Sequence, residues 1–393
     1  MPESVAPAEV LTATGPTMTH EEMRVEFRRW LLDAMPDLPA SPAPGSSFGE
    51  RLAAVCKLQG YLYEAGWARL GWPEHLGGFG GDARHRAVLY DELASAGFTS
   101  RCALEHLEIL APAVVAHWDA SRSRKVLPGL MRGSDLWCQG FSEPDAGSDL
   151  ISLRTTATRD GESYVLQGRK MWTSWASYAQ RCVVLARTGD ASQRHRGLSV
   201  FFVDLETEGI EVRALSQANG VDELAEVTFD EVRIPRERLV GQEGGGWQIA
   251  LDVLACERST FAWLRQARLQ ARADELALRV DGESAEQLGD VLIDLFALRM
   301  SSASAVERLA DGQFLGPQAA PAKLLLTDAE QHLYDLARRV LGVDFAMGTS
   351  PAMADWQEEY LFSRATSIYG GTREMQLTTI ARFLLDLPVA PRG

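Results

Sequence analysis

The chain is short of lysine and of cysteine, and it has no long apolar run. Lysine stands only at Lys57, Lys125, Lys170 and Lys323, so arginine carries nearly all the positive charge. This scarcity reads as codon bias rather than function. The formal net charge is −15. Nucleic-acid binding needs clustered Lys and Arg to neutralise phosphates, so this balance argues against it. A local basic pocket for one phosphorylated cofactor stays open. The five cysteines, Cys56, Cys102, Cys138, Cys182 and Cys256, stand far apart without a CxxC pair. An odd, scattered set argues against a disulfide framework or a zinc site and fits a reducing cytoplasm. Seven histidines show no HxxxH pair, so no metal centre is expected, and each one, His106 included, reads as an ordinary surface or core residue. No apolar stretch is long enough to span a bilayer. Glu3 and Glu9 oppose the basic-then-apolar pattern of a secretion signal. The expected location is the cytoplasm, with no membrane attachment.

Hydrophobic residues make up 46% of the 393 positions, enough for a sizeable core and for two or three domains. The first fifteen or so residues, rich in Ala, Pro and Thr, read as loose. Thr19-His20-Glu21-Glu22 has the form of a helix N-cap followed by acids. Pro39 to Ser47 reads as a loop. Arg51 to Leu70 and Arg84 to Ala96 read as amphipathic helices, with the Gly-rich Gly71–Gly81 between them. Leu104 to Leu130 reads as helix broken at Pro112 and Pro128. After about Leu136 the period changes. Ser163–Leu166, Arg181–Arg187, Gly197–Leu205, Ile210–Ala214 and Ala225–Ile234 are short β-type runs, separated by turns such as Asp160-Gly161 and Gln167-Gly168. From Gly246 to about Leu385 the pattern is helical again. The spacing predicts an α+β chain of three domains: N-terminal helices over 1–134, a middle antiparallel β domain over 135–240, and a C-terminal helical bundle over 241–393.

Two segments carry a chemical signal. In Gln139-Gly140-Phe141-Ser142-Glu143-Pro144-Asp145-Ala146-Gly147-Ser148-Asp149, Pro144 and Gly147 favour a turn. Small residues there leave backbone N–H groups and the Ser148 hydroxyl free to face an anion. Taken alone, the segment reads better as an acidic turn between two elements. About thirty residues on, Gly168-Arg169-Lys170-Met171-Trp172-Thr173-Ser174 delivers an indole and a hydroxyl to one locality. A flavin ring needs such a flat apolar surface and a nearby hydrogen-bond donor. An ordinary strand with a core tryptophan would look the same. The glycines of Gly241–Gly246 precede a helix but no βαβ unit surrounds them, so they are not a dinucleotide loop.

Together these segments resemble the acyl-CoA dehydrogenase family. GFSEPDAGSD followed by GRKMWTS is similar to its first signature and its flavin-contact strand, in order and spacing. GWPEHLGGFGG, AEVTFDEVRIPRERLVGQEGGGWQIALDVLACER and SIYGGTREMQLTTIARFLL extend the resemblance over most of the chain. It implies the family fold, with a C-terminal four-helix bundle, and FAD as cofactor. It implies that Gln139, Phe141, Ser142, Gly147 and Ser148 hold the flavin and its pyrophosphate. Trp172 and Ser174 would lie against the isoalloxazine, and Thr372 and Glu374, at the start of the last helix, would contact FAD again. The implied reaction removes a proton from Cα and a hydride from Cβ of an acyl thioester, on CoA or an acyl carrier protein. An electron-transfer flavoprotein would take the electrons.

Many family members place the base as Glu in an I-Y-E-G-T segment, where this chain reads Ile368-Tyr369-Gly370-Gly371-Thr372. Glycine cannot be a base. Other members carry the Glu on the first long helix of the C-terminal domain, just before an Arg; here that is Cys256-Glu257-Arg258. Ala250, Val253, Leu254, Phe261 and Leu264 recur at helical spacing, and Glu257 falls in their apolar stripe. Desolvation there raises a carboxyl toward the working range of a general base. Arg258, one step round the helix, is the candidate substrate contact. The bland alternative for Glu257 is a structural acid paired with an arginine of another helix. Gly370 is assigned a backbone role: its N–H can donate to the thioester oxygen, and its missing side chain leaves room for a branched or bulky acyl group.

Two family features are missing. The Arg-x-Gln-Phe-Gly segment is absent from the stretch Ala271–Ser284, and Ala337-Arg338-Arg339-Val340-Leu341-Gly342 replaces Gln-x-x-Gly-Gly. In the family both reach FAD from a neighbouring subunit, so the assembly is open between a homo-oligomer, dimer or tetramer, and a hetero-oligomer with a homologous chain. The rival functions on this fold are a flavin-dependent oxygenase or oxidase, and a non-catalytic partner subunit.

Overall fold

A computed structural model describes residues 18–39, 46–99, 104–313, 315–348 and 350–388. The N-terminal stretch read as loose, most of the Pro39–Ser47 loop and Cys102 lie outside them.

Helix α1 (His20–Ala34) begins at Thr19, whose side chain accepts from the Glu22 N–H while Glu22 reaches back to the Thr19 N–H. Ser47 and Glu50 start α2 (Phe48–Glu64) in the same way. This second helix stops six residues before the expected Leu70, because Gly66 turns left-handed (φ 89°) and the chain re-forms as a short 3₁₀ turn, Trp67–Arg69. Next come α3 (Ala83–Ser95), α4 (Leu104–His117) and α5 (Ala120–Arg132). Contrary to expectation, Pro112 and Pro128 both sit inside helices. The break falls at Trp118-Asp119, where the Asp119 carboxylate takes the N–H groups of Ser121 and Arg122. Complete burial of Leu110, Val114, Leu127 and Leu130 outweighs the single ladder bond that each proline removes.

The middle region is an eight-stranded sheet: β1 (Trp137–Gly140), β2 (Thr156–Asp160), β3 (Ser163–Ser174), β4 (Arg181–Arg187), β5 (Leu198–Asp204), β6 (Ile210–Leu215), β7 (Leu224–Pro235) and β8 (Leu239–Val240). The order is β6-β7-β3-β2-β4-β5-β8, with β1 beside β4. Pairing is antiparallel except that β1 and β2 each meet β4 in parallel. Gln167-Gly168 is not a turn: β3 runs through it. Gly168 (φ 146°) marks a register shift instead, and a Cβ there would stand 2.7 Å from Thr155 Cα. One face of the sheet has its own core around Tyr164, Leu166, Phe201 and Phe229. The other face, with Trp137, Val183 and Phe202, is continuous with the core of the helical regions.

Among the described residues six α-helices follow: α6 (Gly246–Cys256), α7 (Thr260–Ala277), α8 (Gly282–Ala310), α9 (Ala320–Met347), α10 (Pro351–Ser363) and α11 (Arg373–Phe383). Gly246 lets α6 start directly over β5, since a Cβ would stand 2.5 Å from Ser199 Cα. The expected single long helix through Glu257 is two helices. Glu257 caps α6 in a helical conformation, and Ser259 (φ −122°, ψ −112°) breaks the path before α7. Buried arginines fasten the bundle together: Arg265 of α7 bonds Glu330 of α9, and Arg268 bonds Glu359 of α10. Among the described residues, no helix is long and apolar enough to cross a membrane.

Candidate active site

Two groups of residues carry the site. The first forms where the loop after β1 meets β3. Glu143 and Ala146 close the loop by exchanging backbone hydrogen bonds of 2.9 and 3.2 Å. The Met171 N–H donates to the Ser142 carbonyl at 2.9 Å, which ties the loop to β3. Beneath it the fully buried Lys170 ammonium donates to Glu143 Oε1 (2.7 Å) and to the Phe141 carbonyl (3.1 Å). Glu143 also accepts the N–H groups of Arg154 and Thr155. Burial alone would raise its carboxyl, but Lys170 and these donors together hold it below the usual range. Burial pushes Lys170 down to about 8, against the attraction of Glu143. The loop is thus clamped from below, while Gly147 and Ser148 at its tip stay exposed.

Trp172 follows directly. Its φ is 62°, it lies in the irregular step between Lys170 and Thr173, and the residue is 60% exposed. Its backbone is held where non-glycine residues are uncommon, and most of the residue is open to solvent. Ser174 ends the strand, partly exposed. Exposed Gly147, Ser148 and Trp172 on one clamped loop-and-strand unit fit a flavin nucleotide. Phe141 contributes its carbonyl to Lys170 while its ring is buried, and Gln139 on β1 is half-buried.

The second group surrounds Glu257. A Cβ built on Gly370 would stand 2.5 Å from Glu257 Oε2 and 3.7 Å from Lys323 Cε. A side chain there would have to push the Glu257 carboxyl aside, and the φ of 61° also favours glycine. Glu257 Oε2 is buried without a hydrogen-bond partner, while the residue as a whole keeps partial exposure. Burial raises its carboxyl above the ordinary range, and the nearby charges of Arg258 and Lys323 moderate this. The Arg258 Nη2 donates to the Gly370 carbonyl at 2.9 Å, and Gln376 Nε2 to the same oxygen at 3.4 Å. The Gly370 N–H makes no backbone hydrogen bond among the described residues. Thr372 caps α11 by accepting from the Met375 N–H, and Glu374 is exposed in its first turn.

The structure therefore brings Ser142, Lys170 and Trp172 together, and separately Glu257, Arg258 and Gly370. Three members were not anticipated from sequence. Glu143 and Lys170 lie inside the recognised segments, but their bond depends on a bulged strand. Lys323 is a lone lysine in the apolar run Ala319–Leu326, a pattern that could have marked it. His106 is a core residue: its Nδ1 meets the Trp137 carbonyl at 2.6 Å and its ring stacks on Trp175 at 3.5 Å.

Models of the acyl-CoA dehydrogenase N-terminal, middle and C-terminal domains match residues 17–134, 138–232 and 244–385. The chain is 37% identical over 387 residues to "Acyl-CoA dehydrogenase IpdE1" of Mycobacterium tuberculosis, covering 95% of this chain and 99% of that protein. Among solved structures, the ChsE4-ChsE5 complex from Mycobacterium tuberculosis is 28% identical with a TM-score of 0.77, over 95% of this chain and 99% of that one. The structure named "Tcur3481-Tcur3483 steroid ACAD" superposes with a TM-score of 0.79 at 24% identity, over 94% and 98% of the two chains.

Proposed function

The chain belongs to the acyl-CoA dehydrogenase family, and we propose that it oxidises an acyl-CoA thioester to the trans-2-enoyl thioester with Glu257 as the base and FAD as the cofactor. The observation that carries this reading is the buried Oε2 of Glu257, which has no hydrogen-bond partner among the described residues and lies against Gly370. Desolvation makes the carboxylate a stronger base than in water, suited to an activated Cα proton. The partial exposure of the residue leaves a path for the substrate to reach it. Arg258 and Gln376 hold the Gly370 carbonyl and so fix the loop. The Gly370 N–H is then available to the thioester oxygen, where it stabilises the charge that develops as the Cα proton leaves. The clamped loop at 141–149 would cradle the cofactor's phosphates, with the exposed Trp172 indole against its ring. When bound, that ring supplies the hydride acceptor.

Straight, branched and bulky acyl groups all stay within this reading. The space beside Gly370 is taken by the Glu257 carboxyl itself, so the missing side chain at 370 does not select a branched acyl chain. One structural neighbour carries the name steroid ACAD, which adds steroid-derived acyl groups to those worth testing. Electrons leave to an electron-transfer flavoprotein. Leu377, Phe383, Leu385 and Leu387 are large, apolar and about half exposed or more at the end of the chain, which supports burial against a second chain, a copy or a homologue.

Anaerobic titration of the purified flavoprotein with a panel of straight, branched and steroid-derived acyl-CoA thioesters tests this reading. Bleaching of the flavin by at least one, with slow reoxidation in air, is the expected result. Fast reoxidation with peroxide release would make the protein an oxidase. No bleaching by any thioester, together with co-purification of a homologous chain, would make it a non-catalytic partner.

A further inference from the structure

Lys323 is the fourth residue of α9 and is 3% exposed. Its Nζ has no hydrogen-bond partner among the described residues and lies 3.9 Å from the centre of the Tyr369 ring. Its Cε and Glu257 Oε2 both stand within 3.7 Å of the same point beside Gly370. Glu257 Oε2 and Lys323 Nζ are thus both buried without a hydrogen bond to each other or to any other described residue. Apart from the Tyr369 ring under the ammonium, neither atom has the direct partner that usually stabilises a buried ion.

The surrounding charges are committed elsewhere. On the α9 side, Glu330 is bonded to Arg265 and to the Thr366 hydroxyl. Arg258 has an Nη on the Gly370 carbonyl. On the α6 side, beyond Cys256, Glu108 is taken by Arg86 and Tyr90, and Asp252 by His117 and Gln248. Glu257 is thus left between two cations, Arg258 and Lys323, and of these only the Lys323 ammonium makes no hydrogen bond of its own among the described residues.

We propose that Lys323 is a positioning residue for the reaction: its ammonium, confined beside Glu257 by the Tyr369 ring, holds that side chain as a carboxylate, so that the base is charged before the substrate arrives. The proposal rests on the reading of Glu257 as the base. A direct salt bridge would neutralise the carboxylate and immobilise it. An ammonium set back from it keeps the charge while leaving both oxygens free to move toward a proton. Burial draws Lys323 down to about 7, against the attraction of Glu257, so the arrangement costs the lysine part of its own proton affinity.

The test compares Lys323→Met and Lys323→Arg with the parent holoenzyme, using the thioester that bleaches it best. The rate of flavin reduction falls on the acid side as the base takes a proton. Lys323→Met is expected to move that limb upward by about 1–2 pH units, as for loss of a unit charge several ångströms away at an effective dielectric constant near 20. Lys323→Arg keeps the charge and leaves the limb in place. A Lys323→Met limb superposed on the parent's would overturn the proposal, since loss of packing alone lowers yield without moving the limb. A second measurement uses no lysine variant. The chain has four lysines, so NMR of ¹⁵N,¹³C-lysine holoenzyme resolves Lys323 directly. In Glu257→Gln its titration midpoint is expected to fall by about one pH unit or more; an unchanged midpoint would overturn the proposal. If Glu257→Gln reduces its flavin normally, the base assignment fails and this proposal with it. If that variant is inactive but neither the limb nor the midpoint moves, only the role of Lys323 is lost.

Discussion

Glu257 Oε2 lies 2.5 Å from the point a Cβ on residue 370 would occupy, so a side chain at 370 must displace the carboxyl from its present position. Gly370→Glu should therefore lose activity rather than gain a second base. The clash, added to the cost of a non-glycine residue at φ 61°, is expected to destabilise the fold by about 1–3 kcal/mol. Removing the clash should reverse part of this: Glu257→Gly with Gly370→Glu is expected to reduce flavin faster than Glu257→Gly alone. Stopped-flow reduction and urea unfolding of the three variants check both statements.

The Glu143–Lys170 bond holds the 141–149 loop on β3, and both ends are buried. Lys170→Met leaves a buried carboxylate without its counter-charge, at an expected cost of about 3–5 kcal/mol. Lys170→Met with Glu143→Gln should be less destabilised than Lys170→Met alone. Denaturant unfolding reads the stability, and flavin loss on gel filtration reads the loop.

Trp172 is 60% exposed, so Trp172→Ala should leave the stability of the flavin-free protein within about 0.5 kcal/mol of the parent. The same change removes the proposed stacking surface and should weaken flavin binding by about tenfold or more. Calorimetric unfolding without flavin and flavin titration of the same sample separate the two effects.

His106 gives the fold a pH dependence of known sign. Burial lowers it from 6.5 to about 4, and its bond to the Trp137 carbonyl opposes this only in part. Between these values the unfolded chain holds a proton that the folded chain does not. Stability should therefore fall as the pH drops from 6.5 toward 4, by up to about 3 kcal/mol from this group. Urea midpoints across that range should flatten in His106→Gln relative to the parent.

The helix–sheet–helix layout was legible because the hydrophobic period changes near Leu136 and again near Gly246, and periodicity is a local property. The capping box at Thr19 and Glu22 is equally local. The errors came where a distant contact decides. Pro112 and Pro128 stay helical because the burial of neighbouring leucines outweighs a lost bond, and Gly168 bends a strand because Thr155 crowds it. The site residues stood in recognisable segments, but their relations did not. The break at Ser259 that sets Glu257 against Gly370 is visible only in three dimensions. Lys323, taken from composition as one of four residual lysines, acquires meaning only from what surrounds it.

The central claim is that Glu257 removes the substrate proton. The most direct measurement is the rate of anaerobic flavin reduction in Glu257→Gln, with the cofactor fully loaded and the thioester saturating. A fall of about 10²–10⁴-fold, with thioester binding retained, is the predicted result. Reduction at a rate close to the parent's would contradict the account and leave the base to be sought in another residue.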